Sequence, residues 1–439
     1  MTHSSEGLNR VIGVSGVAFT VINLTIGAGI FVLPATVSLQ LGAFGIFCYL
    51  FCTLMMTAIV LCYVEIGSRF TVSGGSYTYV ETAFGKLAGF IINWLYFFGW
   101  GVLGSAAVLN IIADSISVLF PAFTFPVYRG LLFLGFLGIM MYVNIRGAKD
   151  SVLFLKFITI IKLLPLIAII IFGFSHINGQ NLHWQHLPSM KTFGNTALIL
   201  FFAFAGFETS LNVSGEIKNP ARTIPRGILL GGASVLVIYL FLQIIVQGVL
   251  GPNMAEFKDA PLAAVANSII GPIGATILVI ATAISCFGNI SCDILSTPRL
   301  LFAGANDGLF PKYLSKVHPK FKTPYSAIIT YGTLIFIFSI SGGFKQLAVL
   351  ASASVLLIYL GVLLAMIKMR TRKAFASIKG FTVPGGLIVP VIGILSIIWL
   401  LSSLSKPEIL STIIFIGIVC ILYFIMQKFF VSKKNTNDE

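Results

Sequence analysis

The chain has 439 residues, of which 57% are hydrophobic and only 10% charged, with a mean hydropathy of +1.00. Those values lie far outside the range of a soluble domain. The net charge of +14 would suit a nucleic-acid binder, but the basic residues sit in short loops between apolar runs, so the partner is the lipid bilayer and not nucleic acid.

Apolar runs between polar punctuation predict twelve transmembrane helices, an all-α integral membrane protein. They cover roughly 11–38, 42–68, 87–113, 128–144, 151–173, 194–214, 227–250, 273–303, 325–341, 345–367, 387–403 and 408–430. Residues 1–10 and 431–439 are expected to be short polar tails. The first run is too long for a cleavable signal peptide and continues into the fold.

The first helix holds the most informative feature. Val11 to Leu33 is apolar but interrupted by Gly27-Ala28-Gly29. In lipid every backbone N–H and C=O needs a partner inside the protein, so an unwound stretch at mid-depth survives only when buried or lining a cavity. The break is expected to leave the N–H groups of Gly29, Ile30 and Phe31 unpaired at a helix N-terminus, which attracts a carboxylate. A plain packing pair of glycines is the alternative.

Helix 5 carries Lys156 and Lys162. At 1.5 Å per residue from Ser151, Lys156 lies about 7 Å in and can snorkel to the interface, whereas Lys162 lies about 16 Å in. A lysine there costs roughly 2.5–3.5 kcal/mol on insertion scales. The two lie on faces about 120° apart and cannot serve one site. An ammonium so deep escapes its cost by giving up a proton, so Lys162 is expected to have an ion-coupling role.

The sixth helix is interrupted as well. Ala197 to Val213 has Ala205-Gly206 at its centre and Glu208 just after. Two interrupted segments in corresponding positions of two halves point to a secondary transporter with inverted repeats and a midplane site. On helix 8, Ser285, Asn289 and Asp293 fall at i, i+4 and i+8 on one face. Ser285 and Asn289 are expected near Lys162; Asp293 needs a partner, and spacing leaves open which lysine supplies it.

Of the 28 Lys and Arg residues, 21 fall on the side of the N-terminus in this register and five on the other, with Lys156 and Lys162 inside a span. That bias places both termini in the cytoplasm. Glu65 and Arg69 suit a structural i,i+4 pair at the cytoplasmic mouth. The six cysteines lie in apolar runs with no metal-ligand spacing, and His176, His183 and His186 read as a solvated outer loop, so no metal or cofactor is expected. A membrane enzyme lacks any His–Glu zinc cluster or Ser/His/Asp set in the spans, and an ATP-driven pump lacks its P-loop.

Several stretches resemble the amino acid–polyamine–organocation superfamily of permeases. Gly27-Ala28-Gly29-Ile30-Phe31 is similar to its first-helix G-x-G-I-F. Tyr63-Val64-Glu65-Ile66-Gly67 with Ser73-Gly74-Gly75-Ser76-Tyr77 resembles Y-x-E-L-G-x-x-x-P-x-S-G-G-x-Y, with Thr71 where proline is usual. Phe202-Ala203-Phe204-Ala205-Gly206-Phe207-Glu208 resembles F-A-Y-x-G-F-E, and Glu216 to Arg226 the loop that follows it. Arg299 to Pro311 resembles the stretch after helix 8.

The resemblance implies a leucine-transporter-like fold with a 5+5 inverted repeat: helices 1–5 within 11–173, helices 6–10 within 194–367, and helices 11 and 12, at 387–430, outside. It implies an amino acid or close relative as substrate, with Phe202 covering it from outside. It also implies that Lys162, in a K-L-L-P-L similar to that of sodium-independent members, fills the space sodium takes in coupled relatives. The expected substrate site is Ile26, Gly27, Ala28, Gly29, Ile30, Phe202, Phe204, Ala205, Gly206 and Phe207. Carbonyls freed at Ile26 and at Phe204-Ala205 would accept the ammonium of a zwitterion. Ion coupling is expected at Lys162, Ser285, Asn289 and Asp293.

With no acid in the first break, neutral L-amino acids are expected, moved by alternating access in the cell membrane through proton symport or exchange. A sensor with a transporter-like pocket and a cationic amino acid or polyamine exchanger are the alternatives. Protons are a possible second cargo, and no obligatory protein partner is evident.

Overall fold

Backbone hydrogen bonding in hydrocarbon must be local, and this chain answers with helices almost throughout. A computed structural model describes residues 12–70, 75–146, 151–184, 186–306, 310–372, 375, 378 and 380–435. The tail 1–10, Thr71, Ser73-Gly74, Lys149, Lys373, Lys379 and Asp307-Gly308-Leu309 lie outside the described residues. So does the side chain of Lys156, although its backbone is helical.

The helices in chain order are α1 (Val14–Thr25), α2 (Gly29–Leu41), α3 (Gly45–Arg69), α4 (Gly75–Phe84), α5 (Lys86–Trp94), α6 (Leu103–Ser117), α7 (Pro126–Arg146) and α8 (Ser151–Gly173). They continue as α9 (Met190–Leu200), α10 (Pro220–Leu250), α11 (Pro261–Ile270), α12 (Pro272–Asn306), α13 (Tyr325–Ser341), α14 (Phe344–Arg370), α15 (Ile388–Ser402) and α16 (Lys406–Asn435). Among the described residues nine helical stretches are long and apolar enough to cross a membrane, and α1, α11, α13 and α15 are shorter apolar helices. One of the nine, Gly29–Arg69, turns at Gly42, whose φ of 55° needs a residue without a side chain.

Boundaries follow local chemistry. Ser189 caps α9 by accepting the Thr192 N–H at 3.1 Å. Asn219, at φ 44°, hands the chain to Pro220 at the start of α10, and Pro261 and Pro272 open α11 and α12. Three elements were not expected: α4 after Gly75, α11 at Pro261–Ile270, and a π-helical stretch, Leu95–Val102, between α5 and α6.

The buried side chains form two cores. One gathers α1, α3, α9, α10 and α14, with fully buried Tyr49, Tyr63, Tyr239 and Tyr359. The other gathers α6, α7, α12 and α13, and takes in Ala28, Val32 and Phe202 from the interrupted helices. The breaks therefore lie where the two cores meet.

Candidate functional site

Both interruptions are present. α1 stops at Thr25 and α2 starts at Gly29. The sixth segment runs as α9, a 3₁₀ turn at Phe201–Ala203, an unwound stretch at 204–206, and a 3₁₀ stretch, Phe207–Glu216. The two breaks touch. Gly206 has φ 114°, and a Cβ there would stand 2.8 Å from the Leu24 carbonyl oxygen. A Cβ on Gly29 would stand 3.2 Å from Ala203 Cα, and one on Gly27 would stand 3.1 Å from Asn289 Nδ2. These glycines let the two backbones and α12 approach, as the packing alternative holds, and they do so around a cavity.

That cavity has a volume of about 30 Å³, room for roughly two waters. Its lining includes Gly27, Ala28, Gly29, Phe202, Ala205, Asn289 and Asp293, all expected from sequence. Thr25, Trp100, Gly104 and Val108 complete much of the wall and were not expected. Trp100 lies 5.6 Å from Phe202, centroid to centroid, and comes from the π-helical stretch, a feature that often marks functional positions. The glycines at 99, 101 and 104 around Trp100 were the available signal.

Five residues of the expected substrate site do not line the cavity. Phe204 and Phe207 pack outward against Tyr239 (5.3 Å) and Tyr63 (5.2 Å) respectively, and border a second space beside Val21, Met56 and Ile228. Ile26 and Ile30 are fully buried in the first core, and Gly206 serves the crossing with Leu24.

The break's polar groups are divided among fixed partners. Lys162 is fully buried, and its Nζ donates to the carbonyls of Asn23 and Ile26, both at 2.6 Å. Ser285 Oγ donates to the Gly27 carbonyl at 3.2 Å and approaches that of Ile26 at 3.5 Å. Tyr239 bridges the breaks by donating to the carbonyls of Thr25 and Ala203, both at 2.9 Å. The Ile26 carbonyl, expected to take a substrate ammonium, is therefore already held by the lysine. The Phe31 N–H, expected free, donates to Ala28 at 3.1 Å, leaving Gly29 and Ile30 as the amides at the start of α2.

Ser285 meets Lys162 through the shared Ile26 carbonyl, whereas Asn289 sits one turn on, against Gly27. Asp293 Oδ2 accepts from Ser105 Oγ at 3.0 Å, and among the described residues no ion pair includes it. Glu208, 2% exposed, accepts at Oε2 from the Gly206 N–H (3.0 Å) and the Tyr359 hydroxyl (2.6 Å). Through these two bonds it ties the second break to α14. Among the described residues no three His, Cys, Asp or Glu side chains are grouped to hold a metal.

The relatives agree with this architecture. Over 97% of its length the chain is 26% identical to the branched-chain amino acid permease BcaP of Bacillus subtilis, covering 95% of that protein. It is 28% identical to the serine/threonine exchanger SteT of the same organism, with 94% of each chain covered. It is also 28% identical to that organism's methylthioribose transporter, over 97% of this chain and 95% of the relative. The model of the amino acid permease family matches residues 12–439, and with its many apolar helices the chain belongs to that family of multi-pass membrane transporters.

Proposed function

We propose that this protein is a secondary carrier of amino acids, neutral L-amino acids foremost, that works by alternating access without sodium. The observation that carries the reading is the cavity between the two interrupted helices, at the seam of the two cores. At one side α2 begins at Gly29, where unpaired amides and the helix dipole favour a carboxylate. At the other, the unwound backbone at Ala205, which lines the cavity, offers a carbonyl to an ammonium. A zwitterion satisfies both.

In this reading the chain crosses the bilayer twelve times. α1 with α2, and α9 with the 3₁₀ stretch after it, each count as one interrupted crossing, and helices 1–5 and 6–10 form inverted halves. Both termini lie in the cytoplasm of a cell whose plasma or inner membrane holds the protein, and the chain acts as a carrier and not an enzyme. Lys162 supplies the cation that the carbonyls of Asn23 and Ile26 require, in the place of a bound ion. The names of two relatives, a branched-chain permease and a serine/threonine exchanger, favour neutral substrates; a methylthioribose transporter among them keeps the test broad.

Purified protein in sodium-free proteoliposomes should exchange a labelled neutral amino acid against unlabelled competitor, and a panel of the twenty amino acids will rank the substrates. Substrate binding without any flux would make the protein a sensor. Preference for lysine, arginine or polyamines would make it a cationic exchanger.

A further inference from the structure

We propose that the proton coupled to transport is carried by Asp293, and that Lys162 is a fixed part of the first break; the inference rests on the carrier reading above. Asp293 lies on α12 and Lys162 on α8, two of the helices that face this region, and their surroundings differ in kind.

Lys162 does not line the cavity. Its ammonium makes two short, charge-assisted bonds to carbonyls at the end of α1, at Asn23 and Ile26. Those carbonyls have lost helical donors because α1 stops there. Without the ammonium they would be left short of donors in a buried setting, which is costly. The lysine is held by its partners and holds them in return.

Asp293 lines the cavity itself. From α6, Ser105 Oγ donates to Oδ2 at 3.0 Å, and behind it the Tyr331 hydroxyl of α13 stands 3.5 Å from Ser105. The unwound sixth segment brings Glu208, another acid, into its electrostatic range. Its own helix supplies Cys292 beside it and Asn289 one turn away; Trp100 and Gly104 close the wall from the α5–α6 segment. Lys162 on α8 is turned to Asn23 and Ile26. No group facing Asp293 among the described residues brings positive charge.

A carboxylate in the membrane interior requires a cation, and one hydroxyl donor does not replace it. The cavity is small and shared with substrate, so the cation that fits is a proton. It adds to the free oxygen Oδ1, turning carboxylate into carboxylic acid with no other bond made or broken. It leaves as a hydron when the cavity opens to the opposite side. One zwitterion and one proton then cross together, and one positive charge moves per cycle.

The test uses sodium-free proteoliposomes with an imposed pH gradient. The unmodified protein should concentrate substrate, whereas Asp293→Asn, which keeps the shape and the Ser105 contact, should bring the accumulation ratio down to unity while still exchanging substrate. Concentration by Asp293→Asn against the gradient would overturn the proposal. So would a defect confined to substrates with cationic side chains, because the carboxylate would then pair with substrate. If the unmodified protein exchanges but ignores the pH gradient, the carrier reading stands and the proton proposal falls.

Infrared difference spectroscopy of the purified protein supplies an arm independent of flux. A protonated-carboxyl C=O band should be present, absent in Asp293→Asn and kept in Glu208→Gln. Its absence from the unmodified protein overturns the proposal whatever the vesicles do, and an inert protein in vesicles would instead count against the carrier reading.

Discussion

Two acids, the buried Glu65 near the end of α3 and the half-buried Asp293 beside the cavity, sit in the same kind of apolar helix and are treated oppositely. Glu65 is fully buried and saturated: Oε1 accepts from Arg69 (3.3 Å) and from Arg370 Nε (2.7 Å), and Oε2 accepts from Arg370 Nη2 and the Val383 N–H (2.7 Å). The segment after α14 is laid across this cluster, with Phe381 N–H on Ser68 Oγ and Arg69 Nη2 on Thr382 Oγ1, both at 2.9 Å. Among the described residues Asp293 has one hydroxyl donor and no cation. The lesson is that a carboxylate given all its partners fixes a structure, while one left short reserves a place for something that comes and goes.

The largest effect that sharpens the contrast is expected at the saturated acid. Arg370→Ala leaves Glu65 with Arg69 and an amide, and truncating one partner of a buried ion pair costs about 3–5 kcal/mol. The yield of folded protein and its thermal midpoint in detergent should both fall steeply. A midpoint equal to that of the unmodified protein would mean that the cluster is ornamental and the comparison empty.

Lys162→Ala comes next. Each of two buried carbonyls loses a donor, at about 1–3 kcal/mol apiece. The break should lose its shape, so substrate exchange and pH-driven accumulation should disappear together while the protein still reaches the membrane. Retained exchange with lost accumulation would identify the lysine as the proton carrier and reverse the roles drawn above.

Gly206→Ala should rank third. At φ 114° any side chain is strained, and the added Cβ would press on the Leu24 carbonyl at 2.8 Å. A penalty of about 1–2 kcal/mol for this crossing of the two breaks would weaken substrate binding by roughly tenfold. A thermal-shift titration would read it.

What was legible in the sequence was whatever local rules decide. The interruptions at 27–29 and 205–206 stand out because glycine pairs inside apolar runs conflict with the demand for satisfied backbone in lipid. Helical period put Ser285, Asn289 and Asp293 on one face of α12, and the resemblance turned that face toward Lys162, which Ser285 meets through the Ile26 carbonyl. Relations across the fold were hidden. The i,i+4 pair of Glu65 with Arg69 is real, yet the stronger partner, Arg370, lies 305 residues away. Phe204 and Phe207 belong to the right motif but pack against Tyr239 and Tyr63, partners that other helices bring. The π-helical stretch that delivers Trp100 depends on Gly99 meeting Ser354 and Gly101 meeting Tyr331, contacts made by other helices.

Glu208 is the intermediate case, and it makes the smallest and most discriminating test. Its Oε2 has two donors, the Gly206 amide and the Tyr359 hydroxyl, while Oε1 is buried with no hydrogen-bond partner among the described residues. Tyr359→Phe removes one donor and leaves the ring contacts with Tyr63 (5.4 Å) and Phe207 (5.7 Å) in place. If Glu208 is structural, as its grip on the Gly206 amide implies, the loss is that of one hydrogen bond, about 1 kcal/mol, and the thermal midpoint should drop slightly with the pH dependence of transport unmoved. A shifted pH profile in Tyr359→Phe would show that Glu208 exchanges protons too, and would place it with Asp293 and not with Glu65.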